Sequence, residues 1–230
     1  MKKFVLISIL LTIAAILISL SGCERENSDD VNQDRIYAYY ELFYNSDQDI
    51  TYARASFRFG SITGTLLQLA GHAYVKFNDD YLTFKPLLAY YEISYPGLVA
   101  EGEFTYMDLD SNFFVNTAVL HPVDLPETLD TLVRGHVYAL PFTGDSIRAN
   151  EVVNAFIHSS LGTDLQTYSQ SNLLAVQVLF AADRTLTLTP GLNTVYVRRN
   201  YSNPVQQATE AGAEIHAIWQ SHVRQVFVKD

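Results

Sequence analysis

Carboxylates, amides and imidazoles are where chemistry would begin in this chain, and few of them are spaced for it. Asp108-x-Asp110-x-Asn112 puts oxygen ligands at the first, third and fifth positions of a calcium-type loop. Phe113, however, stands where the sharp turn of such a loop needs glycine, and Val119 where it needs a bidentate carboxylate, so the stretch reads as a hairpin turn. Glu101 and Glu103 lie two apart on one strand face, and glycosidases need two carboxyl groups roughly 5 to 10 Å apart. On an exposed strand the same pair makes a charged edge that discourages strand addition. The 6 histidines, at positions 72, 121, 136, 158, 216 and 222, include no pair at i, i+2 or i, i+4. His158 shares strand parity with Val152 and Phe156 and is expected to be a hydrogen-bonded core residue, while His216 and His222 can approach each other across the last hairpin. There is no G-x-S-x-G elbow, no H-E-x-x-H and no glycine-rich phosphate loop. The expectation is therefore a noncatalytic protein with no cofactor and no metal. A Ser-His-Asp triad is defined by geometry and not by order, which keeps a hydrolase with an unrecognised site as an alternative.

The single cysteine lies in "LISLSGCEREN". Before it, Met1-Lys2-Lys3 is followed by Phe4 to Leu20 with almost nothing polar. A basic start, an apolar run and then small residues is the layout of a secretory signal peptide. Leu20-Ser21-Gly22-Cys23 resembles the lipobox of bacterial lipoproteins. That resemblance implies cleavage between Gly22 and Cys23, removal of residues 1–22, and acyl chains such as palmitate on Cys23. A sulfur held in a thioether to lipid is neither nucleophile, metal ligand nor disulfide partner. Several acyl chains, at roughly 0.8 kcal/mol per buried methylene, make such an anchor stable. The implied location is the outer membrane, lipid-anchored, on its periplasmic or cell-surface face.

Loss of Lys2 and Lys3 leaves 13 basic against 25 acidic side chains, a net charge of −12. That balance repels nucleic acid and anionic headgroups, so membrane contact is expected through the lipid, with the body held away. Residues 23–34, acidic and without periodic apolar positions, read as a flexible tether. Glu24, Glu26, Asp29 and Asp30 resemble the acidic export signals of surface lipoproteins from Bacteroidota.

From Ile36 onward the apolar period is two, the pattern of half-buried strands. Thr51, Ala53, Ala55, Phe57 and Phe59 form one face of "DITYARASFRF", with Tyr52, Arg54 and Arg58 on the wet face. Leu174, Val176, Val178 and Phe180 alternate with Ala175 and Gln177, and Val195 and Val197 are placed inside with Arg198 outside. Ile215, Ala217 and Trp219 alternate with Glu214 and His216 before a last strand through Val226 and Val228. Asn78-Asp79-Asp80 and Asp108 to Asn112 read as hairpin turns, because Asn and Asp tolerate positive φ and satisfy nearby backbone groups. No amphipathic helix of a dozen residues is evident. The fold class expected is all-β, as two immunoglobulin-like β-sandwich domains, 35–121 and 122–230, divided at "LHPVDLPETLD" where Pro122 and Pro126 interrupt strand pairing.

The lipobox, the acidic tether and the Tyr-rich hairpins resemble envelope lipoproteins of Bacteroidota with immunoglobulin-like domains. Asp130-Thr131-Leu132 and Asp145-Ser146-Ile147 resemble the three-residue O-glycosylation sites of that group, at Thr131 and Ser146. The chain has 15 Tyr and 13 Phe. Tyr39-Tyr40 and Tyr90-Tyr91 each place one ring on either strand face, so Tyr39 and Tyr90 are the surface-binding candidates. The expected partners, besides the membrane through Cys23, are an envelope protein to be bound or braced, or a glycan stacked on tyrosines. Nucleic acid is not expected.

Overall fold

The structure, a computed structural model, describes residues 26–159 and 165–230; Lys2, Lys3, Gly22 and Cys23 lie outside the described residues. The first half contains β1 (Glu26–Asn27), β2 (Ile36–Asn45), β3 (Ile50–Phe59), β4 (Leu66–Gln68), β5 (Tyr74–Phe77), β6 (Asp80–Tyr81), β7 (Thr83–Lys85), β8 (Tyr90–Pro96), β9 (Glu101–Met107) and β10 (Phe113–Val119). The second contains β11 (Leu132–Val133), β12 (Tyr138–Pro141), β13 (Glu151–Ser159), β14 (Leu165–Gln170), β15 (Gln177–Phe180), β16 (Gly191–Asn203), β17 (Ala213–Gln220) and β18 (Arg224–Lys229). Among the described residues the longest helix is the single turn Ala182–Thr185. The protein is all-β.

One large sheet runs β1-β4-β3-β2-β17-β16-β13-β14 through both halves. Its halves are joined by parallel pairing of β2 with β17, from Ala38 opposite Ala213 to Asn45 opposite Gln220. The sheet β10-β9-β5-β6 covers one half and the pair β12-β15 covers the other. Alternation does the rest, since every second side chain points into one of two apolar clusters. In the first, Tyr40, Leu42, Ala53, Ala55 and Phe57 meet Val75, Phe77, Phe104 and Tyr106. In the second, Val153, Ala155, Ile157, Val195 and Val197 meet Leu140, Val178 and Phe180. Leu120 belongs to the first cluster and Val123 to the second, but Ile215 and Ala217 return to the first. Trp219 packs against both.

The hairpin turns follow their residues. Phe77 pairs with Asp80 across Asn78-Asp79, and Asn78 takes φ 53°. Asp108, 1% exposed, accepts from the Asn112 backbone N–H at 2.8 Å and from its Nδ2 at 3.0 Å. The calcium-like spacing is thus occupied by hydrogen bonds that close the turn.

Three expectations need correction. Residues 26–34 are not a free tether. Ser28 is fully buried and accepts the Ala70 N–H through Oγ, while Gln33 donates to the Ser28 and Val31 carbonyls and accepts from Leu109 N–H. Two polar side chains that satisfy loop backbone add to the packing of Val31, the segment's one apolar residue, against the first core. Leu174 and Val176 are not strand residues facing the core, being 79% and 52% exposed. Leu174 takes φ 65° in a turn that donates to the Ile147 carbonyl, and the strand begins at Gln177. His158 is half-buried on the outer face, because the core parity of β13 is that of Val153, Ala155 and Ile157.

Candidate binding face

The face of the large sheet turned away from the cores carries the side chains of opposite parity. Register builds the site there. Glu41 on β2 stands opposite Arg54 on β3 and His216 on β17, and Phe43 stands opposite Tyr52 and Ile218. Arg54 donates through Nη1 to Glu41 at 2.8 Å and through Nε to Glu92 of β8 at 2.7 Å. Its guanidinium lies 4.8 Å from the Tyr52 ring centre, 5.5 Å from Tyr90 and 5.6 Å from Phe43. Across the sheet Arg198 lies 5.5 Å from the other side of this group at Phe43, 5.2 Å from Phe156 and 5.5 Å from Tyr196. All are within the roughly 6 Å at which a ring's negative face attracts a cation. Phe43 and Tyr52 stack at 6.0 Å, and Phe156 and Tyr196 at 4.9 Å. A belt of half-buried rings and two arginines therefore crosses from β8 to β13.

Two hollows open along it. A groove of about 320 Å³ is lined by Tyr39, Glu41, Arg54, Arg58, Leu88 and Tyr90, among others. A smaller hollow of about 130 Å³, between Phe43, Arg198 and Ile218, shares Glu41 and Arg54 with it. Tyr39 and Tyr90, far apart in sequence, thus line one groove. Their neighbours Tyr40 and Tyr91 are core residues, 0% and 8% exposed. Tyr39 also stacks on His216 at 5.3 Å, and His216 contacts Asn200 and Glu214, each at 3.2 Å.

Burial opposes the Arg54 charge, but the hydrogen bonds to Glu92 and Glu41 prevail and hold its pKa above the ordinary value. Burial, followed by the Glu41 and Glu214 carboxylates, pushes the Tyr39 phenol up to about 12. Tyr90 is also raised, by burial and by Glu92 against the opposing pull of Arg54. Both phenols are therefore neutral hydrogen-bond donors at neutral pH. The groove offers flat rings, the Tyr39 hydroxyl as a donor, a Tyr90 hydroxyl that donates to Glu92 at 3.4 Å, a clamped guanidinium and, in Arg58, a second one that donates to the Gly64 carbonyl at 3.0 Å.

A second polar cluster is internal. The Glu151 side chain, fully buried, accepts the Arg148 N–H at 2.9 Å and contacts His121 Nδ1. Arg199, 1% exposed, donates to the Pro122 carbonyl at 3.1 Å and to the Asp145 carbonyl, with Nε 3.9 Å from Glu151. His121 stacks on Tyr201 at 4.4 Å. This cluster fastens three segments together beside the junction of the two cores.

Of the remaining candidates, Thr131 is exposed beside the buried Leu132, and Ser146 is half-buried beside the buried Ile147. Glu101 and Glu103 are exposed on β9. His222 binds Asp124 at 2.7 Å beside a separate hollow that Ser46 also lines, but the Ser46 hydroxyl donates to the Gln220 carbonyl at 2.6 Å. His216 and His222 thus have separate partners. Among the described residues no cluster of three or more His, Cys, Asp or Glu is placed to hold a metal ion. The role of Arg198 and Phe43 was not readable from strand parity alone. The signal that could have found the belt is an aromatic two residues before an arginine on the wet face of two strands, Tyr52-x-Arg54 and Tyr196-x-Arg198.

No protein-family model matches this chain, and no curated protein matches it.

Proposed function

We propose that this is a noncatalytic, lipid-anchored protein of the outer membrane, held through Cys23, that binds or braces another envelope or surface component through the outer face of its large sheet. On this reading its two sandwiches are immunoglobulin-like modules. The observation that carries the proposal is the cross-sheet belt of Tyr90, Arg54, Tyr52, Phe43, Arg198, Tyr196 and Phe156. Protein interfaces are enriched in aromatic residues and arginine, and the rings bring large contact area at low entropy cost. Affinity capture from detergent-solubilised membranes, with mass spectrometry, tests it. One stoichiometric partner held by the native chain and lost with Phe43→Ala is expected; recovery of none, or equal recovery with both, counts against it. The anchor is tested separately by Cys23→Ser, which should leave the membrane fraction and incorporate no labelled palmitate.

A second reading rests on the groove itself. Parallel stacking of Tyr39 on His216, with Glu41, Ser56 and Arg58 beside it, gives flat faces and hydrogen-bonding groups suited to a sugar ring. Binding to immobilised envelope glycans that is lost with Tyr39→Ala and kept with Phe43→Ala would favour it.

A further inference from the structure

The point where the chain enters the folded body limits how far that body can stand from its anchor. Glu26 pairs with Leu67, and Asn27 with Gln68, in the parallel ladder of β1 on β4. The buried Ser28 and Gln33 then fix the segment that follows. Three peptide steps separate Glu26 from Cys23, a reach of at most about 11 Å at roughly 3.6 Å per residue. The β1–β4 edge is thereby confined to the immediate neighbourhood of any lipid on Cys23, and a body held away from the membrane, as the net charge alone suggests, is restricted to the parts beyond this edge.

That edge carries the most exposed leucines of the first half. Leu87 is 97% exposed and Leu88 60%, in the turn between β7 and β8. The turn is built, not loose. The N–H groups of Leu88 and Ala89 both donate to the Lys85 carbonyl, at 3.1 and 2.9 Å, and Ala89 takes the left-handed φ of 56°. Leu88 lines the groove together with Leu66 of β4, which places the turn beside the strand that receives β1. Ile62, 45% exposed, lies in the turn leading into β4. Arg58 lines the same groove, Lys85 ends β7 beside the turn and Glu26 lies in β1, so both signs of charge stand near it and the leucines are its apolar part.

We infer that Leu87 and Leu88 enter the interfacial layer of the leaflet that holds the Cys23 acyl chains, seating the β3 side of the large sheet on the membrane. This rests on the lipid-anchor reading above. With β8 at the lipid, β14 lies six strand steps away, roughly 30 Å at about 4.8 Å per step. The outer face then stands upright on the membrane, open to a partner alongside. Exposed leucines on a fixed turn gain what any apolar side chain gains in leaving water. The anchor supplies the second signal that makes weak insertion persistent.

The test uses the full acylated chain in vesicles of phosphatidylethanolamine and phosphatidylglycerol. Leu87→Cys is labelled with an environment-sensitive fluorophore, since acylation leaves the introduced thiol as the one that reacts. Leu174→Cys, in the exposed turn of the second half, is the comparison. The inference expects a blue-shifted emission and strong quenching by spin-labelled lipid at position 87, and a water-like emission with little quenching at position 174. Equal emission and quenching at the two positions, in a chain that floats with the vesicles, overturns the inference and leaves the anchor standing. A chain that does not float, or whose native Cys23 reacts with maleimide, overturns the anchor and the inference with it. A blue shift at position 87 that is kept in detergent micelles and lost on protein dilution marks contact between copies, and also overturns it.

Discussion

Replacing Arg199 with methionine isolates what a buried guanidinium contributes at the junction of the two cores. Methionine keeps most of the apolar stem and removes every donor. The carbonyls of Pro122 and Asp145 then lose their charged donor, and the buried Glu151 loses a cation 3.9 Å away. Hydrogen bonds to charged groups contribute about 1.5–3 kcal/mol each, and breaking a buried pair by removing one partner costs about 3–5 kcal/mol. Two features place the cost at the lower end. Glu151 keeps His121 and the Arg148 N–H, and Arg199 itself is strained by desolvation, which lowers its pKa against the pull of Glu151 and Asp145. The expected loss for Arg199→Met is about 3 kcal/mol, which lowers Tm by about 6–12 °C for a chain of this size. The assay is urea unfolding followed by fluorescence of Trp219, the single tryptophan, which packs against both clusters. Adding Glu151→Gln should recover part of the loss, since it removes the charge left unpaired. A loss under about 1 kcal/mol, or strict additivity of the two changes, would show that the Arg199 guanidinium does not support Glu151 and the two carbonyls.

Alkaline titration has a defined sign. Burial raises the phenols of Tyr40, Tyr106, Tyr138 and Tyr39, the last two to about 12, so the folded chain holds protons that the unfolded chain gives up near pH 10. Their contribution to stability is intact below about pH 10 and is lost as pH climbs toward 12 and beyond. Tyrosinate absorbance should stay incomplete until circular dichroism is lost in that range, and ionisation of all 15 tyrosines near pH 10 with folded dichroism retained would contradict it. Gln33→Ala removes the acceptor for Leu109 N–H and both donors to the 28–31 segment. Hydrogen exchange at Leu109 and through residues 26–34 should quicken, at a local cost of about 1–3 kcal/mol, with the second core unaffected.

Strand parity in the sequence is enough for much of the cores and for the two Asn/Asp turns, because period-two burial leaves a direct mark on residue types, but it inverted β13, where Val152, Phe156 and His158 lie on the outer face. It places Ala53, Ala55 and Phe57 inside and Arg54 and Arg58 outside, as found. It fails where a side chain's partner is backbone. Ser28 and Gln33 look like tether residues and are buried by accepting from the Ala70 and Leu109 amides far along the chain. Arg199 follows Arg198 in sequence, and nothing local tells which of two adjacent arginines turns inward. The answer lies in carbonyls at 122 and 145. The return of β17 to the first core is equally invisible, since parallel pairing with β2 joins segments some 170 residues apart. The binding face was half legible. Parity picked Tyr39 and Tyr90 as the surface rings of their pairs, but that they line one groove depends on the β2–β3–β8 register.

Photo-crosslinking in intact cells tests most directly whether a partner sits on the outer face of the large sheet. A photoreactive amino acid replaces Tyr52 in one variant, Tyr196 in another and Leu174, away from the belt, in a third. The same discrete crosslinked product is expected from positions 52 and 196, and none from position 174. No product from either belt position, or the same product from all three, would contradict it.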